Sequence, residues 1–360
     1  MRIVAVLITT GLRAKTSSRL RKILTRGMGS KEVDKPSVYH KILKHVLVVV
    51  LVLMTFCVGV YLGKSRGWPF VKRHKQHWSI GIYKGSSFEN LKLAPGVTNP
   101  VLTAGNVDDI RAEFVADPFM ISEQGKWYMF FEVWNSTSNQ GDIGLAVSED
   151  GLSWDYSQVV LNERFHLSYP YVFKCKNEFY MVPETSEAYS VRLYRAKEFP
   201  LKWSFEKVLI YGNYVDPSVF YFGDKWWLFA SDASSDVLHL FYADNLIGPW
   251  TEHPKSPVVQ QDMGTARSAG RVLVRDGRVI RFAQDCSSVY GLCVRAFEIQ
   301  ELSSTEYAEA ELPSSPILTG SGRGWNGRGM HHIDCHYIDS DGAIACVDGW
   351  TPKLLFGLEY

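Results

Sequence analysis

Five times between residues 116 and 349 the chain repeats one unit about fifty residues long. Each unit opens with a small or acidic residue beside Pro or Gly and continues as a short apolar run. It then turns at Gly, Asp or Asn and returns as an aromatic or apolar run. The clearest copies are Ala116-Asp117-Pro118-Phe119-Met120-Ile121 before WYMFFEV, Ser168-Tyr169-Pro170-Tyr171-Val172-Phe173 before FYMVPE, and Val215-Asp216-Pro217-Ser218-Val219-Phe220 before WWLFAS. Ser268-Ala269-Gly270 and His332-Ile333-Asp334 open the other two, which return as VIRFAQD and AIACVDG. With Pro118, Pro170, Pro217, Gly270 and Asp334 as markers, the intervals are 52, 47, 53 and 64 residues. A period near fifty that holds several strands is the pattern of a β-propeller.

The outer elements agree. GDIGLAVSEDGLSW, SVRLYRAKEFPLKW, VLHLFYADNLIGPW and GLCVRAFEIQEL each follow their own inner pair, and three of them end at Trp154, Trp203 and Trp250. A β-sandwich would not repeat such a unit in register. Five blades account for the chain from about residue 78 onward, with HWSIGIY placed to close the ring against the last blade. The expected fold is all-β, a five-bladed β-propeller preceded by one N-terminal transmembrane helix.

That helix is expected from residues 46–62, VLVVVLVLMTFCVGVYL, which carry no charge. Seventeen residues lie at the short end of what spans a bilayer, and His45 and Gly63 extend the run. Eleven Lys and Arg precede it and five follow it up to His77, an excess that places the N-terminus in the cytoplasm. The long basic lead and the absence of an A-x-A-like site argue against a cleaved signal peptide. The expected organisation is a basic cytoplasmic tail (1–44), a signal anchor (45–63), a stem (64–77) and the propeller (78–360). Such a type II protein belongs in the Golgi or another secretory-pathway membrane, its propeller in the lumen or outside, and the short span suits a thin bilayer. The formal charge of +1 conceals +14 in residues 1–77 and −13 in the remainder. An acidic globular part excludes nucleic acid as the expected partner.

Five cysteines lie beyond the span. Cys286 with Cys293 is spaced to close a hairpin, and Cys335 with Cys346 to join neighbouring strands, although spacing alone does not fix connectivity. Asn135-Ser136-Thr137 is an N-glycosylation acceptor in a turn-like stretch.

In a propeller the innermost strands begin near the axis, so their first residues converge on one funnel. Asp117 and Asp216 hold matching positions in blades one and three. Asp334 lies near the equivalent place in blade five, and Arg267 and Arg271 flank blade four. Glu132 and Glu184 sit toward the ends of second strands, which return to the same face. Paired carboxyls facing one cavity are what glycoside hydrolysis requires, one as acid and one as base or nucleophile. Trp134 and Tyr169 offer ring faces, His166 and His332 offer polar contacts, and the two arginines would grip a substrate anion such as an inositol phosphate. As neighbours on an expected strand, His331 and His332 would point to opposite faces. Asp-Pro at a strand start is also ordinary turn chemistry. No metal motif and no cofactor are expected, although a structural or axial divalent cation is compatible with a histidine near the axis.

FVADPFMI, NQGDIGLAVSEDGLSW, FHLSYPYVFK with MVPETSEA, FPLKWSFEKVLI, ARSAGRVLVRDG, AQDCSSVYG and WNGRGMHHID together resemble the N-terminal domain of glucosamine inositolphosphorylceramide transferase. The resemblance is collinear from about residue 78 to 349. It implies a five-bladed propeller similar to glycoside hydrolase family 43, in a plant-type enzyme that attaches an amino sugar to a sphingolipid head group in the Golgi. In that family the transfer belongs to a separate C-terminal glycosyltransferase domain, which this sequence lacks, so transferase activity in this chain alone is not expected. The hydrolase comparison implies Asp117 as base or nucleophile. It fails at the blade-two Asp-Pro, where this chain has Tyr169-Pro170, so Glu184 as acid and Asp216 as its tuning partner complete the expected catalytic set. The expected function is a membrane-anchored, lumen-facing, glycosidase-like propeller acting on a glycan or glycolipid in sphingolipid or cell-surface glycosylation. Its alternative is a non-catalytic sugar-binding or scaffold module that assists a separate glycosyltransferase partner.

Overall fold

The computed structural model describes residues 38–66, 71–338 and 342–356. It divides into two compact units, residues 1–69 and 70–360. Within the first, Val38–Arg66 forms an α-helix. Its stretch Lys41–Gly59 is long and apolar enough to cross a membrane and is wholly exposed. The apolar residues lie on every side, unlike the single stripe of a helix packed on a core. The basic segment before residue 38 falls outside the described residues.

The second unit is a five-bladed β-propeller built from antiparallel sheets. Blade 1 runs Ala112–Glu123, Lys126–Asn135, Gln140–Ser148 and Asp155–Leu161 from the axis outward. Blade 2 comprises Ser168–Cys175, Glu178–Glu184, Ser190–Glu198 and Lys202–Tyr211. Blade 3 is Tyr214–Phe222, Lys225–Asp232, Leu238–Ala243 and the short Thr251–Glu252. Blade 4 has an interrupted inner edge, Arg267–Ser268 then Leu273–Arg275, before Arg278–Asp285, Cys293–Leu302 and Tyr307–Glu311. Blade 5 joins Ile333–Tyr337 and Ala343–Phe356 to Val71–Gly85 and Lys92–Leu93 from the other end of the chain. Ring closure is therefore a ladder between the first and last long strands, in the register Trp78↔Trp350 and Tyr83↔Ala345. The tryptophans that end the outer motifs share one task. The indole N–H groups of Trp154, Trp203 and Trp250 donate to the carbonyls of Gly151, Pro200 and Leu246 at 3.1, 2.9 and 3.0 Å.

The x-Pro step of the repeat has a definite geometry. In blades 1, 2 and 3 the ladder slips between Ala116 and Phe119, Ser168 and Tyr171, and Val215 and Ser218. Asp117, Tyr169 and Asp216 stand at those slips with φ of 51°, 47° and 49°. Such bulges redirect a side chain out of the alternating pattern, and positive φ in a non-glycine residue needs support from its surroundings.

Three polar knots tie the blades at the axis. The Tyr169 hydroxyl accepts from Gly270 N–H at 2.7 Å, lies 2.9 Å from Gly270 O and 2.8 Å from Ser218 Oγ, and so links blades 2, 3 and 4. Gly270 has φ of 131°, and a Cβ there would lie inside the Ile333 carbonyl, so no side chain fits. Asp334 binds Arg271 Nε at 2.6 Å and accepts from Met120 N–H, while Arg271 also donates to Val172 O at 2.9 Å. Asp348 accepts the backbone N–H of Asp117, His331 and His332 at 3.0, 3.2 and 3.1 Å, fastening blade 1 to blade 5.

Some sequence expectations are corrected here. His331 and His332 precede the strand that begins at Ile333, so they do not alternate across it. Cys286, Cys293, Cys335 and Cys346 are free thiols. Cys335 pairs with Ala345 while Cys346 opposes Asp334, which leaves the two sulfurs on opposite faces of the sheet. The acceptor Asn135 is 9% exposed and its amide donates to Asp142 at 3.0 Å, so the folded chain does not present it.

Because a buried donor without a partner costs about 1–3 kcal/mol, Tyr169→Phe should lower thermal stability by that order. Arg271→Ala, which strands the Asp334 carboxylate, should cost about 3–5 kcal/mol. Melting of the purified chain in detergent checks both, and the larger loss is expected from Arg271→Ala.

Candidate active site in the propeller funnel

At one mouth of the axis lies a cavity of about 640 Å³. Of the residues expected at a site, Asp117, Glu132, Trp134, His166, Glu184 and Arg267 line it. Asp117 reaches it from the blade-1 bulge. Glu132 and Glu184 reach it from second strands, opposite Ala116 and Ser168 in the ladders. Each of these three carboxyls is 6% exposed.

Asp216 lies behind this wall and is 1% exposed. It accepts from Arg267 Nε at 2.6 Å and from Gln284 Nε2 at 2.8 Å. Arg267 also donates to Ser235 Oγ at 3.0 Å and keeps its far nitrogen 3.8 Å from Glu184 Oε2. Glu184 Oε1 accepts from Ser186 at 2.8 Å, whereas its buried Oε2 has no hydrogen-bond partner. Asp117 Oδ1 stands 3.7 Å from ring nitrogens of both His331 and His332. His331 is oriented by Asp348 at 2.8 Å and stacked on Trp78 with centroids 3.8 Å apart.

Burial is the largest influence on the acids. It raises Asp117 to about 7; the neighbouring His331 pulls it back and Asp216 pushes it further up. Glu184 rises to about 8, first through burial and then through Asp216, against the pull of Arg267. Glu132 is raised well above the ordinary range by burial and by Asp117, Glu184 and Asp216 around it. Burial disfavours charge on His331, but the Asp348 carboxylate outweighs it and the imidazole is held up. His332 goes the other way, down to about 4, through burial. His166 is also lowered by burial. Its Nδ1 accepts from Gly141 N–H at 2.8 Å, which places the neutral ring's proton on Nε2, 3.8 Å from Glu132 Oε1.

Four expected contact residues are not at this cavity. Tyr169 is fully buried and its hydroxyl is consumed by Gly270 and Ser218. Arg271 faces a different pocket, with Tyr171, Tyr337 and His336, where its charge is committed to Asp334. Asp334 itself is 0% exposed and held well below the usual carboxylate range: burial opposes the charge, but Arg271 and His336 outweigh it. His332 is buried between Phe119 and Tyr169, 4.6 and 5.3 Å away. The grip on an anion expected of Arg267 and Arg271 is thus taken up by carboxylates of the chain itself.

Sequence reasoning passed over Asp348, Tyr290 and Trp78. Asp348 had a usable signal, since AIACVDG returns to the axis as FYMVPE does at Glu184. Tyr290 and Trp78 reach the cavity from a loop and from the closing strand, places that no repeat marks. Asp117, His331 and Asp348 bring ligand atoms within 4.8 Å of one another, a set with the chemistry to hold a divalent cation. Their present hydrogen bonds already use His331 Nδ1 and Asp348.

Five blades around an acid-rich funnel define a propeller of the shape found among glycosidases. The catalytic domain of a family 62 α-L-arabinofuranosidase from Coprinopsis cinerea matches 77% of this chain and 97% of its own at a TM-score of 0.53 and 14% identity. A Bacteroides thetaiotaomicron protein provisionally called a glycosidase matches 72% and 97% at 0.55 and 11%. These likenesses concern the fold. The chain belongs to the family of the N-terminal region of glucosamine inositolphosphorylceramide transferase 1, whose family model matches residues 55–350. The rice transferase of that name (Oryza sativa subsp. japonica) is 38% identical over 312 residues, 78% of this chain and 42% of its own length. The Arabidopsis thaliana one is 36% identical over 296 residues, 76% and 39%. The chain thus spans about two fifths of the length of the relatives it matches.

A carboxyl whose folded pKa is raised binds its proton more tightly in the native state. Its contribution to stability is complete below the ordinary Glu value of 4.5 and is lost as pH climbs to about 8. Glu184→Gln should therefore melt close to the wild type at pH 5 and at a higher temperature at pH 8.5. Paired thermal melts at the two pH values test this; a variant that gains nothing at pH 8.5 contradicts the buried, proton-holding Glu184.

Proposed function

We propose that this chain is a membrane-anchored, lumen-facing propeller that hydrolyses a glycosidic bond in a glycan or glycolipid, within sphingolipid or cell-surface glycosylation. The observation that carries the reading is the pair Asp117 and Glu184. Both carboxyls line one cavity, both are buried and raised by that burial, and their neighbours differ: Asp117 stands 3.7 Å from ring nitrogens of His331 and His332, whereas Glu184 has Ser186 and, at 3.8 Å, Arg267. Two buried carboxyls with different neighbours on one cavity are suited to divide into an acid and a base. Glu184, raised by burial and with a bare oxygen, carries the proton to the leaving oxygen. Asp117, beside the His331 imidazole whose pKa Asp348 holds up, is the base or nucleophile. Asp216 holds Arg267 against Glu184 and so tunes the proton donor. The half-buried Trp134, stacked on Phe114 at 5.7 Å, gives a sugar ring a face to lie on.

The apolar helix and the family support the placement. Residues 45–63 would anchor the chain, 1–44 would lie in the cytoplasm, and a 64–77 stem would hold the propeller in the lumen of the Golgi or a neighbouring compartment.

One observation favours a second reading. The matched relatives are transferases by name, and this chain corresponds to two fifths of their length. A propeller that recognises the acceptor for a separate glycosyltransferase would need the same funnel without turnover.

Hydrolysis of a glycoside and glycolipid panel by the full chain in detergent separates the two. Turnover should be highest between about pH 7 and 8, falling on the acid side as Asp117 protonates and on the alkaline side as Glu184 ionises. Asp117→Asn should reduce it by about 10²–10⁴-fold. Sugar binding without turnover in both proteins would establish the recognition module instead. In sealed microsomes, protease should remove an N-terminal tag and spare the propeller; the opposite pattern refutes the proposed orientation.

A further inference from the structure

The inner strands run from the funnel to the other end of the axis, and that end holds a second cavity of about 570 Å³. Four blades supply its walls: Tyr171 and Phe173 from blade 2, Tyr221 and Trp226 from blade 3, Arg275 from blade 4 and Tyr337 from blade 5. It lies beside the interrupted inner edge of blade 4. There Gly270 bridges Ile333 of blade 5 instead of continuing its own sheet, and the inner strand resumes as the three residues Leu273–Arg275. On the same cavity, blade 3 presents Val219, Phe220 and Tyr221 at the end of a complete nine-residue strand. A strand of three residues is about 10 Å long and leaves part of its neighbour bare. Apolar groups stay in the open as a result: Tyr221 is 50% and Val274 40% exposed.

Two features of the walls define what fits there. The first is aromatic. Tyr221 and Phe173 meet the Trp226 indole at 58° and 49°, with centroids 5.3 and 5.8 Å away, so neither ring lies flat on it. On blades 4 and 5 the Arg275 guanidinium lies 3.7 Å over the Tyr337 ring. Its Nε donates to Asp276 Oδ2 at 3.2 Å, and among the described residues its terminal N–H groups have no acceptor. Stacking thus holds a planar fork in place with donors to spare. The second feature is electrical. Each Lys and Arg on this cavity already has its own acid: Arg271 has Asp334 at 2.6 Å, Arg275 has Asp276 at 3.2 Å and Lys174 has Glu123 at 2.7 Å. An ion entering here would have to displace one of these partners. A wholly apolar guest would strip water from the Arg275 fork and return nothing to it. Aromatic faces beside planar polar groups, in a place of balanced charge, suit a ring that is apolar on its flat side and hydroxylated at its edge.

We propose that the mouth opposite the funnel is a second carbohydrate site, which holds a neutral sugar ring on Tyr221 and Trp226 with its hydroxyls on Arg275 and Asp276. The acids at this mouth are spent on its cations, so the site binds and does not catalyse. The proposal goes beyond the reading of the funnel and holds whether or not the funnel hydrolyses what it takes. A chain with a grip at each end of its axis can hold one part of a glycan-bearing partner while the funnel engages another.

The test is ligand-observed NMR titration of the full chain, at neutral pH, in a detergent whose head group carries no sugar. The probes are methyl β-glucoside, methyl β-galactoside and the charged methyl β-glucuronide. At least one neutral glycoside is expected to bind, and more tightly than the glucuronide. Trp134→Ala, which removes the ring face of the funnel, should leave a neutral-sugar site in place. Adding Tyr221→Ala and Arg275→Ala to that protein should weaken the remaining binding by at least about tenfold. Both of these side chains are well exposed, so the melting temperature should stay near that of Trp134→Ala alone. In the wild-type chain, with no variant needed, failure of both neutral glycosides to bind overturns the proposal, and so does a glucuronide that binds more tightly than either. Neutral-sugar binding that vanishes in Trp134→Ala, or that the two further substitutions leave unchanged, places the sugar elsewhere and overturns it as well.

Discussion

Five sheets that share one axis bring the polar starts of their inner strands to a place that water scarcely reaches, where a polar group without a partner is costly. The Tyr169 hydroxyl meets that demand for three blades at once, and the close approach of Gly270 to Ile333 lets it do so. Asp334 with Arg271, and Asp348 with three backbone N–H groups, meet it for the others. Among the described residues near the axis, the acids that these knots leave without such partners are those at one mouth. The candidate site is in this sense what remains after the architecture has consumed its own polar groups.

The same constraint explains why chemically similar residues have different parts. Asp334 and Glu184 are both buried carboxyls near the axis. Asp334 sits against a guanidinium and two other donors, so it is ionised and structural. Glu184 has one donor and a distant Arg267, so it holds a proton and keeps a bare oxygen. Arg267 and Arg271 differ in a similar way. Both are neutralised by an aspartate, but only Arg267 remains on the cavity wall, where it can sense what Glu184 is doing.

Much of this was legible in the sequence. The interval of about fifty residues gave the blade count, the terminal aromatic run gave the closing strand, and the repeated x-Pro step marked the bulges from which Asp117 and Asp216 project. The repeat could not say which way a bulged side chain would be used. Tyr169 stands in the slot of two aspartates and became a structural pin, because its longer side chain reaches blade 4. Position near a strand start likewise suggested Asp334 and His332 for the funnel. Which end of the axis a residue faces depends on the stagger between neighbouring blades, and one strand's sequence does not record that stagger. Tyr290 and Trp78 were hidden for a related reason, since they arrive from outside the repeated unit.

The ring closes through Val71–Gly85 on Ala343–Phe356, and these strands lie at opposite ends of the propeller's sequence. During synthesis the first of them is complete before any blade exists, and its partner is made last. Blades 1 to 4 can each form from neighbouring segments as they emerge, whereas blade 5 must wait for the whole domain. The long strand 71–85 is thus an open sheet edge for the entire time the ribosome is at work. A chaperone or an early-engaged partner has its longest opportunity to bind at that edge. The funnel, whose walls include Trp78 from this strand and His331 from just before the last inner strand, takes shape only at the final step.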